Sequence, residues 1–127
     1  MAVSFDILEE EQYNVFRLYQ ISSGTFLKDI AGVDYLEIPA NSISEIHRHH
    51  ESDAILFVIS GSATADLGGR LYELGPGVRV IIPRGTAHGF QTNDEKLQFV
   101  SVQVPPIQNP EHGVFDLEVI DSRGQPE

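Results

Sequence analysis

The chain contains no cysteine, which excludes disulfide staples, thiolate metal sites and a cysteine nucleophile. Positive charge is scarce: 8 Lys and Arg stand against 19 Asp and Glu, a formal net charge of −11. The few basic residues are scattered, so no stripe exists to follow a phosphate backbone or an anionic membrane surface. Neither a nucleic-acid partner nor a membrane is therefore expected. Long apolar runs are missing too, since the longest, Ala54 to Ile59, falls far short of the ~20 residues a spanning helix needs. Met1 to Asp6 lacks the basic and apolar stretches of an export signal, which makes the cytoplasm the default expectation. Helical periodicity is nearly absent. Only Ser4 to Gln12, where Ser4 can cap and acidic residues follow, reads as a short helical turn, so a parallel sheet with crossover helices is excluded.

What the sequence does carry is strand signal. Val15 to Ile21, Tyr35 to Ile38, Ala54 to Ile59, Val78 to Ile82, Leu97 to Val104 and Phe115 to Ile120 are short runs rich in β-branched and aromatic residues. Turn clusters punctuate them, drawing on 11 Gly and 7 Pro. Asp66 to Leu71, with Gly68-Gly69 at its centre, reads as a tight hairpin. The length fits one domain spanning 1–127, whose polar end, 121–127, is expected to fray. The fold class expected is all-β, an antiparallel barrel or sandwich.

One strand bears on assembly. Alternation along Ala54 to Ile59 puts Ala54, Leu56 and Val58 on one face and Ile55, Phe57 and Ile59 on the other. Both faces are apolar, so both need cover. The barrel interior covers one. The N-terminal segment, with Phe16, Leu18 and Tyr19, is a candidate for the other, in cis or donated across a homodimer.

Chemistry concentrates in the histidines: His47, His49, His50, His88 and His112. In His47-Arg48-His49 the two imidazoles stand two residues apart, and on a strand such residues share a face. Both rings can then converge on one ion at ~2.0–2.1 Å. Downstream, a strand enters the turn Pro83-Arg84-Gly85 and leaves with His88, whose position is thereby set by rigid elements. The flanking Ile82 and Phe90 suggest a dry interior. His50 and Arg48 alternate away from this face, and His112 sits beside Gly113, so surface roles are expected for all three, with a salt bridge for Arg48.

Residues 41–61, with His47-Arg48-His49 inside and Gly61 at the end, resemble the first motif of the cupin superfamily, G-x5-H-x-H-x3–4-E-x6-G. Residues 77–93, from Gly77 through Pro83, Gly85 and His88 to Thr92-Asn93, resemble the second, G-x5-P-x-G-x2-H-x3-N. The resemblance implies a cupin-type antiparallel β-barrel (jelly roll) with a divalent transition metal inside, held by His47, His49 and His88. Departures accompany the matches. Asn41 stands for the first Gly, Thr92 for the usual Asn, and Ala54 where the family carries a glutamate ligand. Glu51 or Asp53 replaces that ligand only if a bulge re-registers the strand.

Three neutral imidazoles leave a divalent ion at +2 and, on an octahedral ion, three positions open for a chelating anion and dioxygen. In this the chain resembles the all-histidine cupins such as cysteine dioxygenase and the diketone-cleaving dioxygenases, which implies a small Fe(II) oxygenase acting on a chelating small molecule. The alternatives are a non-oxidative isomerase or lyase using Zn, Ni or Mn, and a metabolite-binding protein without catalysis. Leu56, Val58 and Phe90 are candidates to line the substrate pocket. Tyr35, Tyr72, Gln98 and Gln103 are polar groups with a possible inward reach.

Overall fold

The computed structural model describes residues 2–121 and 123–127. Strands account for nearly all of its regular structure: β1 (Glu11–Tyr13), β2 (Phe16–Gln20), β3 (Gly32–Ile38), β4 (Ile46–Arg48), β5 (Asp53–Ser60), β6 (Ala63–Leu67) and β7 (Arg70–Leu74). They are followed by β8 (Arg79–Ile82), β9 (His88–Gln91), β10 (Leu97–Val104), β11 (Gln108–Asn109), β12 (Val114–Phe115) and β13 (Glu118–Ile120), with one 3-10 turn over Pro110–His112. Two sheets face one another, in the orders β1-β2-β3-β10-β5-β8 and β13-β4-β9-β6-β7. Every strand pair is antiparallel, as expected of a jelly roll. Among the described residues no helix is long and apolar enough to cross a membrane.

Period-two alternation decides what faces inward. Along β5, Ala54, Leu56 and Val58 are buried while Ile55, Phe57 and Ile59 are exposed. Along β10, Leu97, Phe99, Ser101 and Gln103 point in. Ile38, Val58, Ala63, Ala65 and Leu97 fill one part of the barrel completely, leaving the rest as a cavity. The turns hold the register. Gly61 sits at φ +85°, and a Cβ there would lie 1.9 Å from the Lys96 carbonyl oxygen, so no other residue fits the close of the first motif. Asn41 takes the left-handed conformation in place of a glycine, at φ 54°. Thr92 stands at the usual asparagine position, where its hydroxyl donates to Pro39 O at 2.6 Å and accepts from Ser42 N at 3.0 Å.

Three expectations need correction. Residues 4–10 form no helical turn and run without regular structure into β1. Val3, Phe5 and Ile7 lie open to solvent, so the segment gains none of the packing that would fix a helix this short. Within one chain, the N-terminal segment also does not cover the outer face of β5. β2 pairs with β3 instead, which turns Phe16 and Leu18 into the barrel and leaves Phe57 49% exposed. The tail folds back instead of fraying: Glu127 N donates to Val119 O at 2.9 Å, and Asp121 N to Gln125 O at 2.7 Å. Ser122 lies outside the described residues.

Candidate metal centre

His47 stands in the middle of β4, where its register partners are His88 on β9 and Val119 on β13. His49 follows one residue after β4, and Gly85 of the Pro-x-Gly turn donates its N–H to the His49 carbonyl at 2.7 Å. That bond ties the two histidine-bearing segments together. The three rings form a near-equilateral triangle, with centroids 5.0 Å (His47–His49), 4.6 Å (His47–His88) and 5.2 Å (His49–His88) apart. All three side chains are buried, and one nitrogen from each lies within 4.8 Å of the others.

Hydrogen bonds fix the orientation of two rings. His49 Nδ1 meets the Asp116 carbonyl at 2.6 Å, and His88 Nδ1 meets that of Thr86 at 2.9 Å. Since a carbonyl only accepts, both Nδ1 atoms carry the proton and both Nε2 lone pairs are free. His47 Nδ1 is buried with no hydrogen-bond partner among the described residues. An orphaned imidazole nitrogen costs free energy, which an ion bound at that same nitrogen would offset. Burial first, then the neighbouring His88 and His49, push His47 down to about 2. Burial also takes His88 to about 4, against the raising effect of the Thr86 carbonyl. His49 is lowered as well, chiefly by burial. The neutral form of each ring is the ligating form, so these residues fit a divalent ion at neutral pH without first losing a proton.

No carboxylate joins the triad. Ala54, 5% exposed, occupies the family's glutamate position with its methyl group. Asp53 points to the opposite face and holds Arg84, through the backbone N at 2.8 Å and the guanidinium at 3.0 Å. Glu51 is exposed. Neither replaces the missing ligand.

His50 and Arg48 lie where alternation puts them, and His112 lies on the surface at the 3-10 turn. His50 faces Glu118 at 3.4 Å, Arg48 Nε donates to the same carboxylate at 2.7 Å, and His112 is exposed near Asp29.

The triad opens into a cavity of about 720 Å3, counted to include its mouth. Phe16, Leu18, Leu36, Leu56, Phe90 and Phe99 supply apolar wall, and Asp34, Ser101 and Gln103 a polar patch. Of the residues expected at a substrate pocket, Leu56 and Phe90 line the cavity. Val58, 1% exposed, lies in the filled core instead, too deep for the cavity. Tyr35 faces outward because Leu36 and Ile38 claim the inner face of β3; its hydroxyl donates to Glu37 at 2.9 Å, and its ring pairs with Tyr19. Tyr72 is exposed, and Gln98 bonds to Ser60 and Tyr35 on the outside. Of the polar candidates only Gln103 reaches in.

Two residues escape a reading of the sequence. Asp116 takes N–H bonds from His50 and Glu51 at 2.8 Å and from Ser52 at 3.1 Å, so its side chain shapes the turn after His49 while its carbonyl orients the ring. Burial works to raise its carboxyl pKa, but the three backbone N–H groups together hold it below the usual range. Nothing local in the sequence marks it. Asp34 had a signal: alternation puts it on the inner face with Leu36 and Ile38, an acid in an apolar stripe.

Comparison with known proteins agrees with this fold. Residues 34–103, more than half of the chain, match the Cupin domain family. The uncharacterized protein SCO3923 of Streptomyces coelicolor is 32% identical over 63 residues, 50% of this chain; the match spans 60% of that relative's length. Among solved structures, KdgF from Halomonas sp. superposes with a TM-score of 0.69 at 18% identity, over 82% of this chain and 94% of its own. The polyketide cyclase RemF from Streptomyces resistomycificus gives 0.68 at 25% identity, over 82% and 80%. The nucleoside dehydratase Pac13 from Streptomyces gives 0.73 at 12% identity, over 94% and 92%.

Proposed function

The chain belongs to the cupin family, and from that premise we propose that it is a three-histidine metal enzyme of the Fe(II) oxygenase type acting on a compact, largely apolar, chelating molecule. The observation that carries this reading is the donor set: three buried, neutral imidazoles converge where Ala54 leaves no carboxylate. A divalent ion held there would keep its full charge and supply Lewis acidity and, as Fe(II), room for dioxygen beside a chelating anion.

The chain's own residues do the rest. His47, His49 and His88 hold the ion, two of them aimed by the Asp116 and Thr86 carbonyls. Phe16, Phe90, Phe99 and Leu56 bind the carbon skeleton and keep bulk water from the centre. A homodimer over the exposed Ile55, Phe57, Ile59 and Ile81 belongs to the same proposal, and sedimentation equilibrium of wild type against Phe57→Glu tests it.

One observation favours a second reading. Asp34 in the cavity wall is an acid placed for proton transfer, which suits a non-oxidative isomerase or lyase using Zn, Ni or Mn. The likeness to RemF, named a polyketide cyclase, points the same way.

Metal analysis of protein purified without a metal-affinity tag, then oxygen uptake with diketones, thiols and phenolic acids after Fe(II) loading, separates the two. Bound iron with substrate-dependent oxygen uptake is expected. Tight Zn or Ni without oxygen use establishes the second reading. An empty site with tight metabolite binding overturns both.

A further inference from the structure

Beside Leu36, Leu56 and Phe99 on the same sheet, β10 and β3 set polar side chains into the cavity in adjacent rows. Leu56, Ser101 and Asp34 form one row across β5, β10 and β3; Ala54, Gln103 and Gly32 form the next. Gln103 is 2% exposed and lies across Gly32, where a Cβ would stand 2.0 Å from its Oε1. Only glycine leaves room for that amide. Its Nε2 spends both protons, one on Asp34 Oδ2 at 2.9 Å and one on Ser101 Oγ at 2.7 Å.

The remaining valences follow from this pairing. Among the described residues Asp34 has no other side-chain hydrogen bond, so Oδ1 is left as an acceptor. Ser101 Oγ accepts from Gln103, and its own proton has no acceptor among the described residues. The cavity therefore presents one free acceptor and one free donor side by side. A group that both donates and accepts satisfies the pair, and a hydroxyl is the smallest that does. An ammonium cannot accept, an ether cannot donate, and a second carboxylate would face Asp34 with like charge.

We propose that Asp34 and Ser101, braced by Gln103, form a hydroxyl-recognition subsite, and that the substrate carries a hydroxyl remote from the oxygens that chelate the metal. This rests on the three-histidine metal reading and holds whether the chemistry is oxidative or not. Burial pushes the Asp34 carboxyl up to about 6, so it is mostly an ionised, acceptor-only group at pH 7.5.

The test uses the full chain loaded with Zn(II), with titration calorimetry at pH 7.5. The probes are benzohydroxamic acid and its 3-hydroxy, 4-hydroxy, 3-methyl and 4-methyl derivatives. Benzohydroxamic acid chelates through two oxygens and fills the apolar wall, and hydroxyl and methyl differ little in size. At the ring position that reaches Asp34, the hydroxyl derivative binds wild type about tenfold tighter than the methyl one. In Asp34→Leu the order reverses, and in Asp34→Asn the preference shrinks. Because the ratio is read within each protein, changes at the metal centre cancel. A wild type that favours methyl at both positions, or a ratio unmoved in both variants, overturns the subsite and leaves the metal reading standing. Failure of benzohydroxamic acid itself to bind overturns both.

Discussion

Asp116→Ala separates orientation of the metal centre from its ligands. The substitution removes the acceptor for three backbone N–H groups, those of His50, Glu51 and Ser52. His50 and Glu51 lie on an exposed turn, so their amides regain water and each loss costs only a few tenths of a kcal/mol. Ser52 is 1% exposed, and its N–H is the one left stranded. Orphaning a buried donor costs about 1–3 kcal/mol, so the whole change comes to roughly 2–3 kcal/mol. At about 4 °C per kcal/mol for a domain of this size, the melting temperature of the metal-free protein falls by about 10 °C. The turn also carries the His49 ring, whose Nδ1 is aimed by the Asp116 carbonyl, so affinity for Zn(II) drops about 10–100-fold. Thermal unfolding and a competitive chelator titration read the two effects. Asp53→Ala, at the start of β5, removes an exposed carboxylate that touches no histidine and leaves Zn(II) affinity unchanged. An Asp116→Ala protein that melts within about 2 °C of wild type and holds Zn(II) as tightly would refute the positioning role.

His88→Ala lowers metal stoichiometry, whereas His112→Ala, on the exposed surface, does not; equal metal content in both purified variants contradicts the triad. Asp34 gives a pH signature. Its folded pKa, about 6, lies above the ordinary 3.8, so folding favours the protonated form. Stability is then unaffected below pH 3.8, declines as pH rises from there through 6, and levels off beyond at a cost of up to about 3 kcal/mol. Asp34→Asn should accordingly be more stable than wild type at pH 7.5 and nearly equal at pH 4, and denaturant unfolding at the two pH values checks the sign. Ala54→Glu puts a carboxylate beside the imidazoles: the metal-free protein loses stability, Zn(II) binds more tightly, and benzohydroxamic acid binds less well because one open position is taken. Unchanged hydroxamate affinity in that variant would mean that Ala54 does not face the centre.

Much of the fold is legible because it depends on local chemistry. Alternation in β5 and β10 assigns inside and outside residue by residue, and Gly61 and the Pro83-Arg84-Gly85 turn mark where the chain must reverse. The triad is legible for the same reason: a two-residue spacing and a rigid turn determine direction before any long-range contact forms. Tyr35 is assigned inward only if β3 is left unanchored, and its neighbours Leu36 and Ile38 supply the anchor. Asp116 could not be read this way. Its role comes from packing β13 and the segment before it beside β4, a juxtaposition of residues 64 to 67 positions apart in the chain.

The missing glutamate and the buried aspartate are best understood together. A carboxylate at position 54 would neutralise part of the ion's charge from within its coordination shell. With alanine there, the three imidazoles contribute no charge, and the carboxylate that lines the cavity is Asp34. Gln103 connects the two positions, since it stands opposite Ala54 in the β5–β10 register and donates to Asp34. In the cavity wall a carboxylate can meet the substrate rather than compete with it for the metal. The small residue at 54, the glycine at 32 that admits the Gln103 amide, and the aspartate at 34 then form one arrangement: a coordination shell left open, and a polar wall to receive what enters it.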